Sequence, residues 1–128
     1  LARLDKGWIV MIAPEGTRSQ TGQLQQGKPG VVPLALRSGA PLLPLVYFGH
    51  EQFGANVRRL RRTDFHIVVG EPFRLESHGE RVDRQVRQAM VDEVMCELAR
   101  LLPEGNRGMY VDCDGYAHRY VVALGARR

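Results

Sequence analysis

The chain has 128 residues, of which 44% are hydrophobic and 25% charged, and its formal net charge is +4. This composition excludes disordered, collagen-like and coiled-coil chains, and the length suits a single domain. A mildly basic surface favours anionic partners such as phosphates, acidic lipids or nucleic acid without choosing among them.

The first residues, 1–7, are typical of the end of a helix that a glycine closes. Because the chain opens inside an element, and with leucine instead of methionine, we expect a fragment or a processed form. No apolar run approaches the ~20 residues that a helix needs to cross a bilayer. Any membrane contact of these residues is therefore expected to be peripheral.

A short apolar run, residues 8–13, lies between Gly7 and Pro14 and is rich in residues that favour strands. An uninterrupted run of this kind predicts a strand buried on both faces, which is typical of a parallel sheet. Residues 14–29 are rich in glycine, proline and polar side chains and predict a long loop. Long loops in compact domains are often functional.

The next elements complete a strand–loop–helix–strand pattern. Residues 30–38 predict a short helix that Gly39 stops, and residues 42–48 predict a second apolar strand. Pro44 inside that strand indicates an edge or a bulge. Such a pattern is a βαβ unit, right-handed by default, so we predict an α/β fold with a mostly parallel sheet and flanking helices.

The rest of the chain predicts a third strand and one long helix. Residues 65–70 are an apolar run rich in β-formers. From about residue 81 to about residue 102 apolar side chains recur every four residues, which is typical of an amphipathic helix. Residues 119–123 could add a short strand. We divide the chain into a domain, residues 1–110, and a C-terminal tail, residues 111–128.

The two cysteines, Cys96 and Cys113, form no CxxC pair and are not spaced with histidines as zinc ligands. No metal or cofactor is predicted. A disulfide between them is left open, but Cys96 falls on the apolar face of the predicted helix, so a buried thiol is the preferred interpretation. That interpretation fits a reducing cytoplasm.

The functional prediction depends on the motif that follows the first predicted strand, Pro14-Glu15-Gly16-Thr17-Arg18-Ser19. In parallel α/β sheets, ligands bind at the C-terminal ends of strands. Gly16 lets the backbone turn tightly beside a ligand, Arg18 offers a planar fork of donors that matches phosphate oxygens, and Thr17 adds a hydroxyl donor. Glu15 can hold that guanidinium or accept a hydrogen bond from a substrate hydroxyl.

A second cation, Lys28, stands just before the helix predicted at residue 30. Its ammonium group and the helix N-terminus both favour an anion. Arg18, Lys28 and the helix end can therefore converge on one phosphate. From residue types alone, the alternative is a surface loop with an ion pair between Glu15 and Arg18.

These residues resemble blocks of a known family. Residues 13–19 are similar to the Phe-Pro-Glu-Gly-Thr-Arg-Ser block of the 1-acylglycerol-3-phosphate and glycerol-3-phosphate acyltransferases, with Ala13 in place of phenylalanine. Residues 27–30 resemble the family's Lys-x-Gly stretch, residues 32–46 its apolar helix and Val-Pro-Val-type strand, and residues 69–72 the segment before its final helix. The resemblance covers roughly residues 4 to 110 and indicates the C-terminal part of an acyltransferase domain.

The resemblance implies a partial acyltransferase-type fold and an acyltransferase of phospholipid biosynthesis at the cytoplasmic, inner face of the membrane. A fatty acyl group would pass from acyl-CoA or acyl carrier protein to lysophosphatidate or another glycerol phosphate. Arg18 would grip the phosphate of that acceptor, and Lys28 would be a second contact. Glu15 would position Arg18 or the glycerol, and Gly16 and Thr17 would complete the phosphate-binding site.

The family's catalytic base is missing from these residues. The family supplies it from an Asn-His-x-x-x-x-Asp block upstream of the phosphate block, but only 13 residues precede Pro14 and none is histidine. His78 and Asp83 have the right spacing, yet they follow the phosphate block, and no asparagine precedes His78. We therefore expect no catalytic residue and an inactive isolated chain. The alternative is a phosphate- or acidic-lipid-binding module without catalysis.

The densest charge is the run Arg58-Arg59-Leu60-Arg61-Arg62. It suits acidic lipid headgroups, with Leu60 as a shallow anchor, and a solvated loop is the alternative. Nucleic acid is not expected as a partner, because neither interleaved aromatic residues nor a nucleic-acid motif accompanies the run.

Overall fold

The computed structural model describes residues 1–115 and 118–125 of the chain. In this part the α-helices are α1 (Val31–Ser38), α2 (Phe53–Arg58) and α3 (Arg84–Leu101). The strands are β1 (Leu45–Phe48), β2 (His66–Val69), β3 (Phe73–Leu75) and β4 (Val121–Ala123). Single 3-10 turns occupy Leu4–Lys6, His50–Gln52, Glu104–Asn106, Gly108–Tyr110 and Cys113–Gly115. None of the described helices is both long and apolar enough to span a membrane.

The strands pair in two small antiparallel sheets, β1 with β2 and β3 with β4. The prediction of an α/β fold with a mostly parallel sheet is therefore wrong for the described residues. An uninterrupted apolar run indicates extended, apolar chain, but it does not indicate which way the neighbouring strand runs. Here the segment around α2 turns the chain back, so that Leu45 faces Val69 and Phe48 faces His66.

The apolar run at residues 8–13 forms no strand, which corrects a second prediction. Ile9 is 97% exposed, Met11 90% and Trp8 62%. Extended backbone becomes a strand only beside a partner that bonds its N–H and C=O groups. None of the four described strands pairs with this run, so the predicted right-handed βαβ unit does not form.

The predicted helix at residues 30–38 is confirmed as α1. It ends at Gly39, whose φ of +60° lies in the left-handed region and whose N–H donates to Ala35 O at 2.9 Å. Pro33 lies in the first turn, where its missing N–H costs little. Val31, Val32 and Ala35 are buried and fix α1 against the core.

The predicted long helix is confirmed as α3, shorter at its start than expected. Asp83 caps it, because its carboxylate accepts from Val86 N at 2.9 Å. One face of α3 is the centre of the core, since Met90, Val91 and Met95 are fully buried. The buried cluster consists of Val31, Val32, Ala35, Phe73, Leu75, Met90, Val91, Val94, Met95, Cys96, Ala99, Tyr110, Cys113, Tyr120 and Val121.

The first sheet has one buried and one exposed face. The strand predicted at residues 42–48 begins only at Leu45, after Pro44, whose carbonyl accepts from Gly70 N at 2.9 Å. Val46 is buried, whereas the opposite face is exposed along both strands. We call that face the outer face, and it consists of Leu45, Tyr47, Ile67 and Val69.

The second sheet ties the end of the described chain to α3. The Glu93 carboxylate, only 5% exposed, accepts from the backbone N–H groups of Arg119 at 3.0 Å and of Tyr120 and Val121, both at 2.8 Å. These bonds place β4 beside β3, where the sequence had indicated only a possible strand. The division into residues 1–110 and 111–128 stays a prediction, although Cys113 belongs to the common core.

The two cysteines are joined in a disulfide, Cys96–Cys113, with the Cα atoms 5.5 Å apart. The preferred interpretation of Cys96 as a buried thiol is therefore wrong. The sequence showed that Cys96 is on the apolar face of α3, and both residues are indeed buried. It could not show that the turns after α3 bring Cys113 back to that same face.

Candidate functional site

The predicted long loop, residues 14–29, closes on itself. The N–H of Lys28 donates to Pro14 O at 2.7 Å, which joins the two ends of the loop. The N–H of Gly16 donates to Ala13 O at 3.0 Å and forms a tight turn at the start of the loop. The N–H of Gln25 donates to Glu15 Oε2 at 2.8 Å. The motif at residues 14–19 and Lys28 are thus neighbours in space.

Lys28 lies across Gly16. Gly16 has a φ of +68°, and a Cβ atom built on it would lie 2.9 Å from Lys28 Cδ and 3.4 Å from Lys28 Nζ. A side chain at residue 16 would therefore be strained and would push the lysine away. Glycine lets the ammonium group rest over the turn of the motif, as the sequence prediction required.

An open cavity of about 370 Å³ lies on this side of the loop. Three of the predicted phosphate-binding residues line it, namely Glu15, Thr17 and Lys28. The other lining residues are Gln25, Gln26, Gly27, Pro29 and Gln88. Lys28 stands two residues before Gly30, which begins α1, and no described side chain caps that helix end. The cavity therefore combines a cation, a hydroxyl and a helix N-terminus.

Arg18 is placed differently from the other predicted residues. It is exposed, it does not line the cavity, and it has no hydrogen bond or ion pair with the described residues. The Glu15 carboxylate bonds Gln25 N instead of the Arg18 guanidinium. The guanidinium is thus free to turn toward a ligand. The phosphate-binding roles of Glu15, Gly16, Thr17, Arg18 and Lys28 stay predictions.

The loop is seated on α3 through Gly27, which is buried. A Cβ atom on Gly27 would lie 2.4 Å from Val91 Cγ1 and 2.6 Å from Met95 Cγ, so the backbone lies directly against the helix. The N–H of Gly27 donates to the Tyr110 hydroxyl at 3.0 Å, and that hydroxyl donates to Asp92 Oδ1 at 3.2 Å.

Gln88, Asp92 and Tyr110 are site residues that the sequence reasoning missed. Gln88 Nε2 donates to Asp92 Oδ1 at 3.0 Å, so all three side chains belong to one network beneath the cavity. A glycine at residue 27 gave the one local signal, because it permits a close approach of another element. Nothing near Tyr110 in the sequence indicates that it would lie under a loop 83 residues earlier.

The far end of the loop is fixed by Asn106. Its side-chain amide donates to Gly22 O at 2.9 Å and to Glu51 Oε1 at 3.0 Å. Its backbone carbonyl accepts from Leu24 N at 3.0 Å. With Gly27 held at one end and Gly22 at the other, the loop is held as a defined surface between its two anchors.

None of the four histidines lines the cavity. His78, the residue with the family's His–Asp spacing, contacts Arg119 O through Nε2 at 3.0 Å. Beside it, the Arg119 guanidinium donates to Glu80 and holds the pKa of that carboxyl below its usual value, and the Tyr120 hydroxyl acts in the same direction. This network joins the start of α3 to β4, so its contacts are structural.

The other three histidines have contacts elsewhere. His50 lies beside Tyr47, with 5.1 Å between ring centroids, and His66 stacks on Phe48 at 5.0 Å. His118 Nδ1 lies 3.5 Å from a Glu97 carboxylate oxygen. The described residues therefore place no histidine where it could take a proton from a ligand in the cavity.

The sequence is similar to known acyltransferases. A sequence model described as "Acyltransferase" matches residues 1–48, a range that contains all five predicted phosphate-binding residues. Over 99 residues the chain is 30% identical to a 1-acyl-sn-glycerol-3-phosphate acyltransferase of Pseudomonas aeruginosa, which covers 75% of this chain and 38% of that protein. Over 80 residues it is 32% identical to a protein of the same name from Cocos nucifera, which covers 62% of this chain and 26% of that protein.

The matched stretches are partial. The chain spans well under half the length of either of these curated relatives. No solved structure matches the chain.

Proposed function

The chain is related over part of its length to the acyltransferase family that includes the 1-acylglycerol-3-phosphate acyltransferases, and from this relationship we propose that residues 14–29 bind the phosphate of the acyl acceptor. The observation that carries the proposal is Lys28. Its side chain lies over the turn at Gly16, at the rim of a cavity that Glu15 and Thr17 also line.

The chemistry of the loop suits a phosphate monoester. The Lys28 ammonium supplies a positive charge, the Thr17 hydroxyl can donate a hydrogen bond, and the uncapped N-terminus of α1 adds backbone donors and a partial positive charge. The exposed Arg18 guanidinium can close over the anion with two parallel hydrogen bonds. The Glu15 carboxylate stabilises the loop through Gln25 N, which keeps its negative charge engaged.

The proposed acceptor is lysophosphatidate or another glycerol phosphate, and the proposed donor is acyl-CoA or acyl carrier protein. In the proposed reaction the acceptor hydroxyl oxygen attacks the thioester carbonyl, a general base takes the hydroxyl proton, and the thiol departs. These residues would hold the phosphate, and so orient the hydroxyl, without moving the proton. The name of the relatives supports a lysophosphatidate-type acceptor.

We propose further that the enzyme works at the cytoplasmic face of a membrane, with peripheral contact to the lipid. The support is the lipid-like acceptor and the exposed arginine run at residues 58–62. The cysteines lend no support, because a disulfide is more typical of an oxidising compartment.

Glycerol 3-phosphate should bind the chain weakly and shift the amide signals of Gly16 and Lys28 in an NMR titration. The Arg18→Ala and Lys28→Ala variants should each weaken binding about tenfold, since each removes a charge-assisted hydrogen bond of roughly 1.5 kcal/mol. Lys6→Ala, which removes an exposed lysine outside the loop, is the matched control and should bind like the unaltered chain.

Two outcomes of this titration would contradict the proposal. The first is binding that all three variants weaken equally, which would indicate attraction to overall charge. The second is a folded chain whose spectrum does not change at any concentration of glycerol 3-phosphate.

The chain of 128 residues should show no acyl transfer from acyl-CoA to lysophosphatidate in a radiolabel assay. The reason is that none of its histidines lines the cavity, so no residue is placed to act as the base. Turnover that the His78→Ala variant abolishes would overturn this prediction, because it would make the His78–Asp83 pair catalytic.

A second candidate function is a binding module that takes a phosphate or an acidic lipid without chemistry. The observation that favours it is the same lack of a histidine at the cavity. Both candidates predict glycerol 3-phosphate binding. They differ in whether addition of a polypeptide with the Asn-His-x-x-x-x-Asp block produces acyl transfer, which only the enzyme predicts.

A further inference from the structure

The most basic part of the surface is also one of the most apolar. We call residues 53–62 together with Phe65 the arginine corner. It consists of α2, the turn after it and the first residue before β2. Four arginines of this corner, Arg58, Arg59, Arg61 and Arg62, are exposed, and none forms an ion pair with a described carboxylate.

These four arginines account for the net charge of the whole chain. The chain has 18 basic and 14 acidic residues, and its net charge is +4. The basic residues outside the corner are therefore equal in number to the acidic ones. Because the rest of the chain is balanced, attraction to an anionic surface should orient the corner toward that surface.

Leu60 stands at the tip of the corner. Its side chain is 96% exposed, and its φ of +54° is in the left-handed region, which is uncommon for leucine. The backbone there is held by bonds back to α2, since Arg61 N donates to Asn56 O at 2.8 Å. The turn thus holds an aliphatic side chain outward between two pairs of arginines.

An apolar groove lies next to this tip. Phe53, Val57 and Phe65 line an open groove of about 380 Å³ together with Arg61. These three apolar side chains are 62%, 53% and 54% exposed. The Phe65 ring lies 5.8 Å from that of Tyr47, so the groove continues into the outer face of the β1–β2 sheet.

We propose that the arginine corner is the surface by which the chain docks on an anionic phospholipid bilayer. Leu60 and Phe53 enter the boundary between headgroups and acyl chains, while the arginines extend along the surface to the lipid phosphates. Tyr47 and Phe65 lie where aromatic side chains are common, at the level of the headgroups. This inference gives residues to the membrane contact of the proposed function, and it rests on that function only for its setting.

Charge complementarity selects the bilayer over other occupants. A second copy of this chain would bring eight arginines together without carboxylates between them, which is unfavourable. Single-stranded nucleic acid would need aromatic rings along a basic groove for bases to stack on. Here the residue between the arginines is an aliphatic leucine, which suits acyl chains.

The test is co-sedimentation of the chain with vesicles. Vesicles of phosphatidylcholine mixed with phosphatidylglycerol should bind the chain, and pure phosphatidylcholine vesicles should not. Binding should weaken as salt is raised. The double variant Arg58→Gln/Arg59→Gln should bind about thirtyfold more weakly, because each basic residue near an anionic surface contributes about a fivefold factor.

Two further variants make the test specific. Leu60→Ser keeps every charge and should weaken vesicle binding several-fold, which a purely electrostatic attraction would not show. Arg84→Gln/Arg87→Gln removes two exposed arginines from α3, at a distance in sequence from the corner, and should bind like the unaltered chain. All these positions are exposed, so we expect the variants to fold, and circular dichroism checks it.

Three results would overturn the inference. Equal losses for the two arginine pairs would mean that attraction to vesicles is diffuse. Tighter binding to single-stranded RNA than to vesicles, lost in Arg58→Gln/Arg59→Gln, would make the corner a nucleic-acid site. A concentration-dependent dimer that Leu60→Ser disrupts would make it a contact between copies. Arg18→Ala should leave vesicle binding unchanged, so this test fails or succeeds separately from the phosphate site.

Discussion

Replacement of Glu93 by alanine should lower the free energy of unfolding by about 3 kcal/mol or more in urea denaturation. The carboxylate is 5% exposed and accepts three backbone hydrogen bonds, from Arg119, Tyr120 and Val121. Without it, N–H donors at the start of β4 lose their acceptor inside the protein, and each such loss costs about 1–3 kcal/mol. Against a total stability of about 5–15 kcal/mol, this is a large fraction.

Two comparisons make the Glu93 prediction specific. Glu93→Gln keeps one acceptor oxygen but turns an amide N–H₂ toward backbone donors, so its loss of stability should be intermediate. Glu71→Ala removes an exposed carboxylate that has no hydrogen bond or ion pair with the described residues and should be nearly neutral. A loss below about 1 kcal/mol for Glu93→Ala would show that β4 is not held by this carboxylate.

Replacement of Gly27 by alanine should destabilise the chain by about 2–3 kcal/mol and weaken glycerol 3-phosphate binding together with it. The added Cβ would lie 2.4 Å from Val91 Cγ1 and 2.6 Å from Met95 Cγ. Both neighbours are fully buried, so they have little room to yield. The loop must then move outward, which lengthens the bond from Gly27 N to the Tyr110 hydroxyl and displaces Lys28.

The control for this variant is Gly30→Ala. Gly30 has a φ of −59°, and a Cβ atom there would meet nothing within 4 Å, so its substitution should change stability by less than about 0.5 kcal/mol. The double variant Gly27→Ala/Val91→Ala should be more stable than the sum of the single losses predicts, because the smaller side chain makes room. Strictly additive losses would mean that the contact with Val91 is not the cause.

Local signals in the sequence were sufficient for α1 and α3. Gly39 ends α1 through its left-handed backbone, and the four-residue repeat of apolar side chains matches the buried face of α3. Both signals lie within the element that they predict. Strand direction depends instead on what lies alongside, which is why the antiparallel pairing of β1 with β2 could not be predicted from two apolar runs.

The run at residues 8–13 shows the same limit more clearly. Its hydropathy states that Ile9 and Met11 would gain from burial, but it does not supply a neighbour, and both are almost fully exposed. Likewise, α2 and β3 were missed because both elements are short, at six and three residues. Elements of that length carry too few residues for a periodic pattern.

For the candidate site, residues close in sequence could be predicted and their distant supports could not. The motif at residues 14–19 and Lys28 indicated a shared anion site, and the structure brings Lys28 over Gly16. The expected pairing of Glu15 with Arg18 is replaced by a bond to Gln25 N, a backbone group that no residue type reveals. Tyr110 and Asp92 reach the loop only because the chain folds back along α3.

The Cys96–Cys113 disulfide has a consequence for how the loop is supported. It closes a ring of chain, with a sequence separation of 17, and Tyr110 lies inside that ring. A closure of this length removes about 3 kcal/mol worth of conformational freedom from the unfolded chain in the entropic account. Reduction would release the covalent hold on the segment that carries the Tyr110 hydroxyl to Gly27. The shape of the loop at residues 14–29 is thereby coupled to the redox history of the protein.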